Sequence, residues 1–549
     1  MSKHEKVRKV LVLDAGEAPY SLTIARSLGS AGYDITLGFP IGAHVFHGFS
    51  KYCKKCTFYP DPSYALKDFL SFIKSITYEY DCIIPAMEKT QLAISLIKDF
   101  LENKKVLVPI PNYETLRKAV DKVNILDIAS NLKIPVPRTI IAVNEKELID
   151  AINKIGYPFI MKVSTEINIP PGPGNRYFVV ENKSKSFKDI ILKFKLLRRY
   201  GSVIIQQYIK GVGVGVSFMF SKSHKLIAVF GHRRVLEQFK EGGPSVIAET
   251  YYNIDAIKLG YKLLRALNWQ GVAMVEFKLG QNGELYFMEL NPRFWGTLPL
   301  AIASGVDFPR LLVENYDSSV WNRPVYAKRK VVFIKVGDLL HLLIKLPEEK
   351  RFLGITKSIF KALLQIARCR KLLLFELERT DLRPAIKQLF HVISRHFSRN
   401  KMSKVNKIFF GPQLSYRKIF SKIDVNAIID LREHEEILKN KINVPLKKIT
   451  YINFPIKDDL APNLRDFLKL IDIIDKLHKN GPLYIHCRVG RGRAPMVTIA
   501  YLISKGVSIE YAYLAVYKAR PYTYVNFLQR RAIYNIYNFT RRRYMENRS

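Results

Sequence analysis

Cysteine is scarce in this chain of 549 residues, with five in all, at positions 53, 56, 82, 369 and 487. A set so sparse and odd in number argues against a disulfide framework and points to a reducing compartment. Long apolar runs are missing as well. No stretch of about 18 apolar residues runs free of charge, so no membrane-spanning helix is expected. The opening MSKHEKVRKVLVLDAGEAPYS sets basic residues before an apolar run too short for a signal peptide, which reads as a first buried strand. These features together predict a cytoplasmic protein. Acidic residues are the minority charge: 48 Asp and Glu against 88 Lys and Arg, a formal +40. The surplus suits anionic partners, although a lysine-rich proteome drifts the same way, and no nucleic-acid recognition motif accompanies it. Neither an internal repeat nor a low-complexity segment is present.

What remains is a folded composition, 48% apolar and 25% charged, at a length that asks for three or four domains. The expected fold class is α/β and α+β multidomain. Over 1–115, apolar runs at Val10–Leu13, Asp34–Phe39 and Asp81–Pro85 alternate with helical patterns, which predicts a parallel sheet. Over 116–318 strands and helices mix, with glycine-rich turns expected near 172, 211 and 242. Residues 319–400 are basic and, from 325, helical in period (LLHLLIKL, IFKALLQIARCRKLLLF). Such helices either pack on the preceding domain or make peripheral contact with an anionic membrane. An α/β domain with a central mixed sheet is expected over 401–549.

Residues 483–503 read LYIHCRVGRGRAPMVTIAYLI: a strand, then Cys487, five residues, Arg493 and a helix. Thiolate chemistry is favoured at a helix N-terminus beside a cation. A loop of Arg488, Val489, Gly490, Arg491 and Gly492 can turn its N–H groups onto phosphate oxygens, with Arg493 supplying a planar fork to two of them. This run resembles the dual-specificity branch of the protein tyrosine phosphatase superfamily, and the resemblance extends over the whole last domain. It implies hydrolysis of phosphoesters through a phosphocysteine. Asp458, four residues before Pro462, would be the general acid, with Asp459 as fallback, and Gln529 would position water. Most members carry Ser or Thr after the arginine, where this chain has Ala494, as in the GRAP string of plant starch-dephosphorylating members. Arg488 and Arg491 make the loop unusually basic, which suggests a polyanionic or lipid-linked phosphate.

A second constellation is dispersed. Lys122 opens a helix and Lys162 ends the strand GYPFIMK, while Gln206, Gln207, Tyr208 and Ile209 close the strand VIIQQYI. Next come His232, Arg233 and Arg234, then Gly242, Gly243 and Ser245 in EGGPS, and finally Glu276, Glu289, Asn291 and Arg293. The two lysines could neutralise nucleotide phosphates, and Glu276, Glu289 and Asn291 are hard oxygen ligands suited to Mg²⁺, with Mn²⁺ as a substitute. Arg293 would reach the transferring phosphoryl group. In this order the pieces resemble the ATP-grasp superfamily, of the carbamoyl-phosphate-synthase-like kind, with 1–115 as its preceding α/β domain and 319–400 as its helical extension. The resemblance implies ATP-dependent activation of a small-molecule carboxylate to an acyl phosphate, which an amine or similar nucleophile attacks. The segment 231–245 would hold the acceptor carboxylate or the γ-phosphate. The acidic residue often present for ribose contact is replaced by GVGVGV. Glu88 reads as a surface carboxylate at a helix start, with substrate contact as the alternative.

Cys53 and Cys56 have CxxC spacing without further ligands at finger distance, a weak metal or redox signal. Thr540–Tyr544 reads as a solvated helix end. The leading expectation is a bifunctional enzyme, ligase-like and phosphatase. The alternatives are a nucleotide-sensing ATP-grasp region controlling the phosphatase, and a phosphate-binding pseudophosphatase beside an active ligase.

Overall fold

The first strand, β1 (Lys9–Val12), is buried from Val10 onward and lies at the centre of a parallel sheet ordered β3-β2-β1-β4. Its neighbours are β2 (Asp34–Pro40), β3 (Cys53–Tyr59) and β4 (Cys82–Ile84). The computed structural model describes residues 8–164, 177–182, 186–239, 242–317, 324–335, 338–339, 372–374, 378, 380–398, 401–414, 419, 425–439 and 449–546. They form two compact units, Met1–Ala385 and Ile386–Ser549. In the first unit, helix Tyr20–Ser30 covers the sheet through Tyr20, Ile24, Ala25 and Leu28, the apolar face its sequence period predicts. Asp14, at the end of β1, is fully buried and its Oδ2 accepts from the N–H groups of Ala86 and Met87 and from Thr90. Burial pushes its carboxyl up to about 6. These bonds fasten the turn that presents Glu88.

A small antiparallel sheet follows, ordered β5-β8-β6-β7, from β5 (Thr139–Ala142), β6 (Phe159–Val163), β7 (Tyr177–Val180) and β8 (Val203–Gln207). The large sheet runs β13-β12-β9-β10-β11-β14-β15. Its strands are β9 (Gly211–Phe220), β10 (Leu226–Phe239), β11 (Gly242–Thr250), β12 (Gly271–Gly280), β13 (Leu285–Asn291), β14 (Val332–Ile334) and β15 (Leu372–Leu374).

Three expectations are corrected here. Gly211 opens a ten-residue strand rather than a turn. Gly242, Gly243 and Ser245 belong to β11, which is paired antiparallel with β10 through an irregular register, rather than to a loop. Within the segment read as helical, Val332–Ile334 and Leu372–Leu374 are parallel strands. Short leucine and β-branched runs serve either state, and available sheet edges decided for strand. The turn expected near 172 and most of the extension between 340 and 371 lie outside the described residues. Among the described residues no helix is long and apolar enough to cross a membrane.

The second unit is a five-stranded sheet ordered β16-β17-β20-β18-β19: β16 (Ser403–Val405), β17 (Ile408–Pro412), β18 (Ala427–Asp430), β19 (Thr450–Asn453) and β20 (Leu483–Cys487). All pairings are parallel except β16 with β17, so the sheet is mixed as expected. β20 is central and wholly buried, and helix Arg493–Ser504 behind it is buried along nearly its whole length. Residues apolar on every side make a core element, and each such side chain contributes roughly 1.5–3 kcal/mol. That anchors the loop between them.

Two candidate active sites

In the second unit, β20 delivers Cys487 and the helix begins at Arg493, with residues 488–492 turning between them. Gly490 takes a left-handed φ of 67°, and a Cβ there would lie 2.1 Å from the Gly411 carbonyl carbon of β17, so only glycine fits. The Gly490 N–H points back at the thiol, 3.2 Å from Cys487 Sγ. Arg520 donates to the carbonyls of Gly490 (2.5 Å) and Val489 (3.1 Å), holding the loop from behind. Arg493 is buried and gripped by Glu436 through two hydrogen bonds of 2.7 and 2.9 Å, with a third to the Ile456 carbonyl at 2.9 Å. Those bonds from Arg493 hold the Glu436 carboxyl below its ordinary range.

Asp458 reaches this cluster, its carboxylate 3.2 Å from Arg493 Nε and its side chain 65% exposed. Asp459 has φ 59° and is tied through its backbone carbonyl to Asn526. Gln529 is buried against the loop: a Cβ on Gly492 would lie 2.9 Å from its Oε1. Arg488 is exposed, whereas the Arg491 guanidinium lies 4.8 Å over the Tyr524 ring. Ala494 is fully buried in the first helical turn.

Behind the nucleophile, burial lowers His486 to about 4, so it is neutral at pH 7, 3.7 Å from Asp430. Burial pushes Asp430 up, but hydrogen bonds from Arg432 and Tyr451 and the nearby His486 bring it below the usual carboxylate range. Glu436, Asp430, Arg432 and Arg520 escaped the sequence reading. No motif marks them: Glu436 and Arg520 acquire their roles from partners far along the chain, and Asp430 and Arg432 pair with each other two residues apart beneath the loop.

In the first unit, Glu276 on β12 and Glu289 on β13 are direct cross-strand partners. Asn291 Nδ2 donates to both carboxylates, at 3.1 and 3.4 Å. Lys122 Nζ lies 3.7 Å from Glu289, and its backbone N–H bonds the Ser164 carbonyl next to β6, the strand that carries the nearly buried Lys162. Arg234 on β10 bonds Glu276, Glu237 (3.0 Å) and the Gly243 carbonyl (2.8 Å). Burial pushes the Glu276 carboxyl up, Glu289 and Glu237 add to this, and Arg234 opposes it. Arg233, one residue along, pairs with Glu249 and lies 4.9 Å over the Tyr251 ring.

The glycines of GVGVGV make room for this network. A Cβ at Gly213 would lie 2.8 Å from Arg234 Cδ, and one at Gly215 2.3 Å from the His232 ring. His232 is buried and held near 3 by burial, so its ring is neutral at pH 7. Ser245 sits opposite Glu237 in the β10–β11 ladder. Arg293 donates to Glu88 at 2.6 Å and lies 5.6 Å over the Tyr20 ring, which corrects the reading of Glu88 as a surface carboxylate. The Gln206 side chain is turned to Thr139 (2.8 Å), the backbone N–H groups of Gln207 and Tyr208 bond Arg138 and Pro158, and Ile209 is buried. A cleft of about 660 Å³ between Val123, Asp127, Arg138 and Lys154 touches none of the predicted nucleotide residues.

Among the described residues no three His, Cys, Asp or Glu side chains gather as a metal cage. Two carboxylates opposite each other on neighbouring strands, bridged by the Asn291 amide, are hard oxygen donors of the kind that suits Mg²⁺, which takes few protein carboxylates and fills its shell with substrate phosphate and water.

The architecture thus joins a mixed α/β unit containing a charged strand network to a cysteine-loop unit of the phosphatase class. Residues 408–539 match the family described as "Dual specificity phosphatase, catalytic domain", and residues 200–337 match "ATP-grasp in the biosynthetic pathway with Ter operon". The chain is similar to the carbamoyl phosphate synthase large chain of Clostridium acetobutylicum, 25% identical over 41% of this chain and 21% of that one. It is also similar to a phosphatidylglycerophosphate phosphatase of Arabidopsis thaliana, 30% identical over 20% of this chain and 50% of that one. It therefore spans about a fifth and a half of the length of these relatives. A biotin carboxylase from Campylobacter jejuni, solved as a β,γ-ATP complex, shares the fold at TM-score 0.50 and 15% identity, over 60% of this chain and 76% of that one. An ATP-grasp region and a dual-specificity phosphatase catalytic domain stand on one chain.

Proposed function

We propose that the chain is a bifunctional cytoplasmic enzyme, hydrolysing phosphoesters through a phosphocysteine in one unit and ligating a carboxylate to a nucleophile at the expense of ATP in the other. The observation that carries the phosphatase reading is the Gly490 N–H turned onto Cys487 Sγ beside a buried Arg493. Cys487 attacks phosphorus, Asp458 gives its proton to the leaving oxygen, and Arg493 with the loop N–H groups holds the equatorial oxygens. Water placed by Gln529 then releases phosphate and regenerates the thiolate. A lipid-linked phosphate is the substrate class we favour. Helix Arg383–Ser398 contains no Asp or Glu and exposes Leu389 (59%) and Phe390 (62%), a surface suited to an anionic membrane, and the plant relative named above is a phospholipid phosphatase.

In the ligase unit, Glu276, Glu289 and Asn291 would hold Mg²⁺, whose charge offsets that of the nucleotide phosphates. Lys122 and Lys162 neutralise phosphate, and Arg293, oriented by Glu88, stabilises the transferring group. The acyl phosphate formed on the carboxylate is then attacked by an amine. The rival sensor reading draws support from Arg234 and Arg293 being already satisfied by Glu276 and Glu88. Two assays on the full chain test the proposal. Phosphate release from an aryl phosphate should fall at least about 10³-fold in Cys487→Ser, and ADP formation should require a carboxylate, an amine and Mg²⁺ together. Wild type inert on aryl and lipid phosphates, or ADP formation indifferent to any acceptor, would refute the corresponding half.

A further inference from the structure

Cys53 and Cys56 take no part in either site. Residues three apart on a regular strand point to opposite faces, yet these two sulfurs lie 3.7 Å from each other. The cause is a bulge. Along β2, Ile35 pairs with Cys53, Thr36 with Lys55 and Leu37 with Cys56, so Lys54 is an extra residue that resets the phase of β3. The cysteines thereby occupy ladder positions two apart on one face. β3 is the edge of its sheet, and Cys56 is exposed with Cys53 half-buried. Opposite the pair, the short turn Phe46–Phe49 brings Gly48 so close that a Cβ there would lie 2.6 Å from Cys56 Sγ.

We infer that Cys53 and Cys56 form a reversible dithiol–disulfide site, oxidised by a small-molecule disulfide such as that of glutathione. The Cys56 thiolate attacks the small disulfide, forming a mixed disulfide and expelling one small thiolate. Cys53 loses its proton and attacks the Cys56 sulfur, closing the protein disulfide and expelling the second. The two protein thiols are oxidised, one disulfide is reduced to two thiols, and the two protons end on them. The roles follow from the environment. The hydrogen bond from Cys53 lowers Cys56 to about 7, and it holds Cys53 as the protonated partner. The Lys55 carbonyl, 3.2 Å from Cys53 Sγ, is an alternative acceptor for that one thiol proton. Among the described residues no group of three metal-ligating side chains forms, so thiol exchange rather than metal binding is the chemistry this pair supports.

The test is full-length protein equilibrated in glutathione buffers of rising oxidised fraction, quenched by alkylation and read by peptide mass spectrometry, with buried Cys82 as internal control. The expected result is a Cys53–Cys56 disulfide that forms and reverses with the buffer while Cys82 stays reduced. Cys53→Ser should accumulate glutathione on Cys56, and Cys56→Ser should react at least about tenfold more slowly at Cys53. Both thiols still alkylatable in wild type under fully oxidising buffer, or equal rates in the two variants, would overturn the inference. The wild-type measurement stands whether or not either variant folds well.

Discussion

In Ile386–Ser549 the residues around the sulfur of Cys487 are sequence neighbours, Cys487 to Arg493, and the donor turned onto that sulfur is a backbone N–H. In Met1–Ala385 the charges arrive singly, from a helix start at Lys122 and from separate strands at Arg234, Glu276 and Glu289. The difference is one of exposure to error. A contiguous loop is shaped by its own glycine and by the strand and helix it joins, and two outside carboxylates, Glu436 and Asp458, meet its arginine. A dispersed network is held by mutual neutralisation, so deleting one member leaves a buried, uncompensated partner.

Three substitutions and a pH comparison would break or sharpen that contrast. Glu276→Gln should give the largest effect of these, lowering Mg²⁺-dependent ADP formation about 10²-fold or more and loosening Arg234, with phosphatase activity unchanged. Parallel ADP and phosphate assays measure it, and equal losses in both would show that the two units are not independent. Glu436→Gln should lower kcat on an aryl phosphate roughly 10–100-fold, because Arg493 loses its bidentate partner while Cys487 remains. Steady-state kinetics separates this from a rise in KM alone, which would mean that Glu436 only shapes the substrate entrance.

Acidification should test both units at once. His486, at about 4, stays neutral in the folded state while its unfolded form gains a proton, so its stabilisation is complete above about 6.5 and is lost as pH falls toward 4. Asp430 and Glu436, both held low, act in the same direction further down. In the first unit His47 and His232, both lowered by burial, behave like His486, but Asp14, raised to about 6, contributes the opposite sign, its protonated form being favoured by folding as pH falls through 6. The two units should therefore lose comparable stability, on the order of 2 kcal/mol each, between pH 7 and pH 5. Hydrogen exchange read peptide by peptide checks this, and a loss of protection confined to one unit would count against it. Ala494→Ser should have the smallest effect, a several-fold rise in aryl phosphatase turnover if breakdown of the phosphocysteine limits the rate. A pre-steady-state burst that shrinks in the variant would be its signature.

How far the sequence carried follows the same divide. The phosphatase loop was legible because nucleophile, glycines and arginine fall within seven residues of a strand–helix junction. The first parallel sheet and the start of helix Lys122–Asn131 were legible from period, and the structure adds the cap, Asp121 accepting from Val123 and Asn124. Glycine signals turns by its backbone freedom, and EGGPS was read as a loop for that reason. In GVGVGV glycine serves instead by lacking a side chain beneath Arg234 and His232.

By itself, the sequence determined the alternation of strand and helix in the first sheet and the placing of Cys487 and Arg493 at the two ends of a strand–helix junction, since these depend on residue type and local spacing. Only the tertiary structure decided that Glu436 grips Arg493, that Glu88 meets Arg293, that Glu276 faces Glu289, and that a bulge at Lys54 brings two sulfurs together. Each is a contact set by sheet register and burial, and only the CxxC spacing of the two cysteines left a trace of it along the chain.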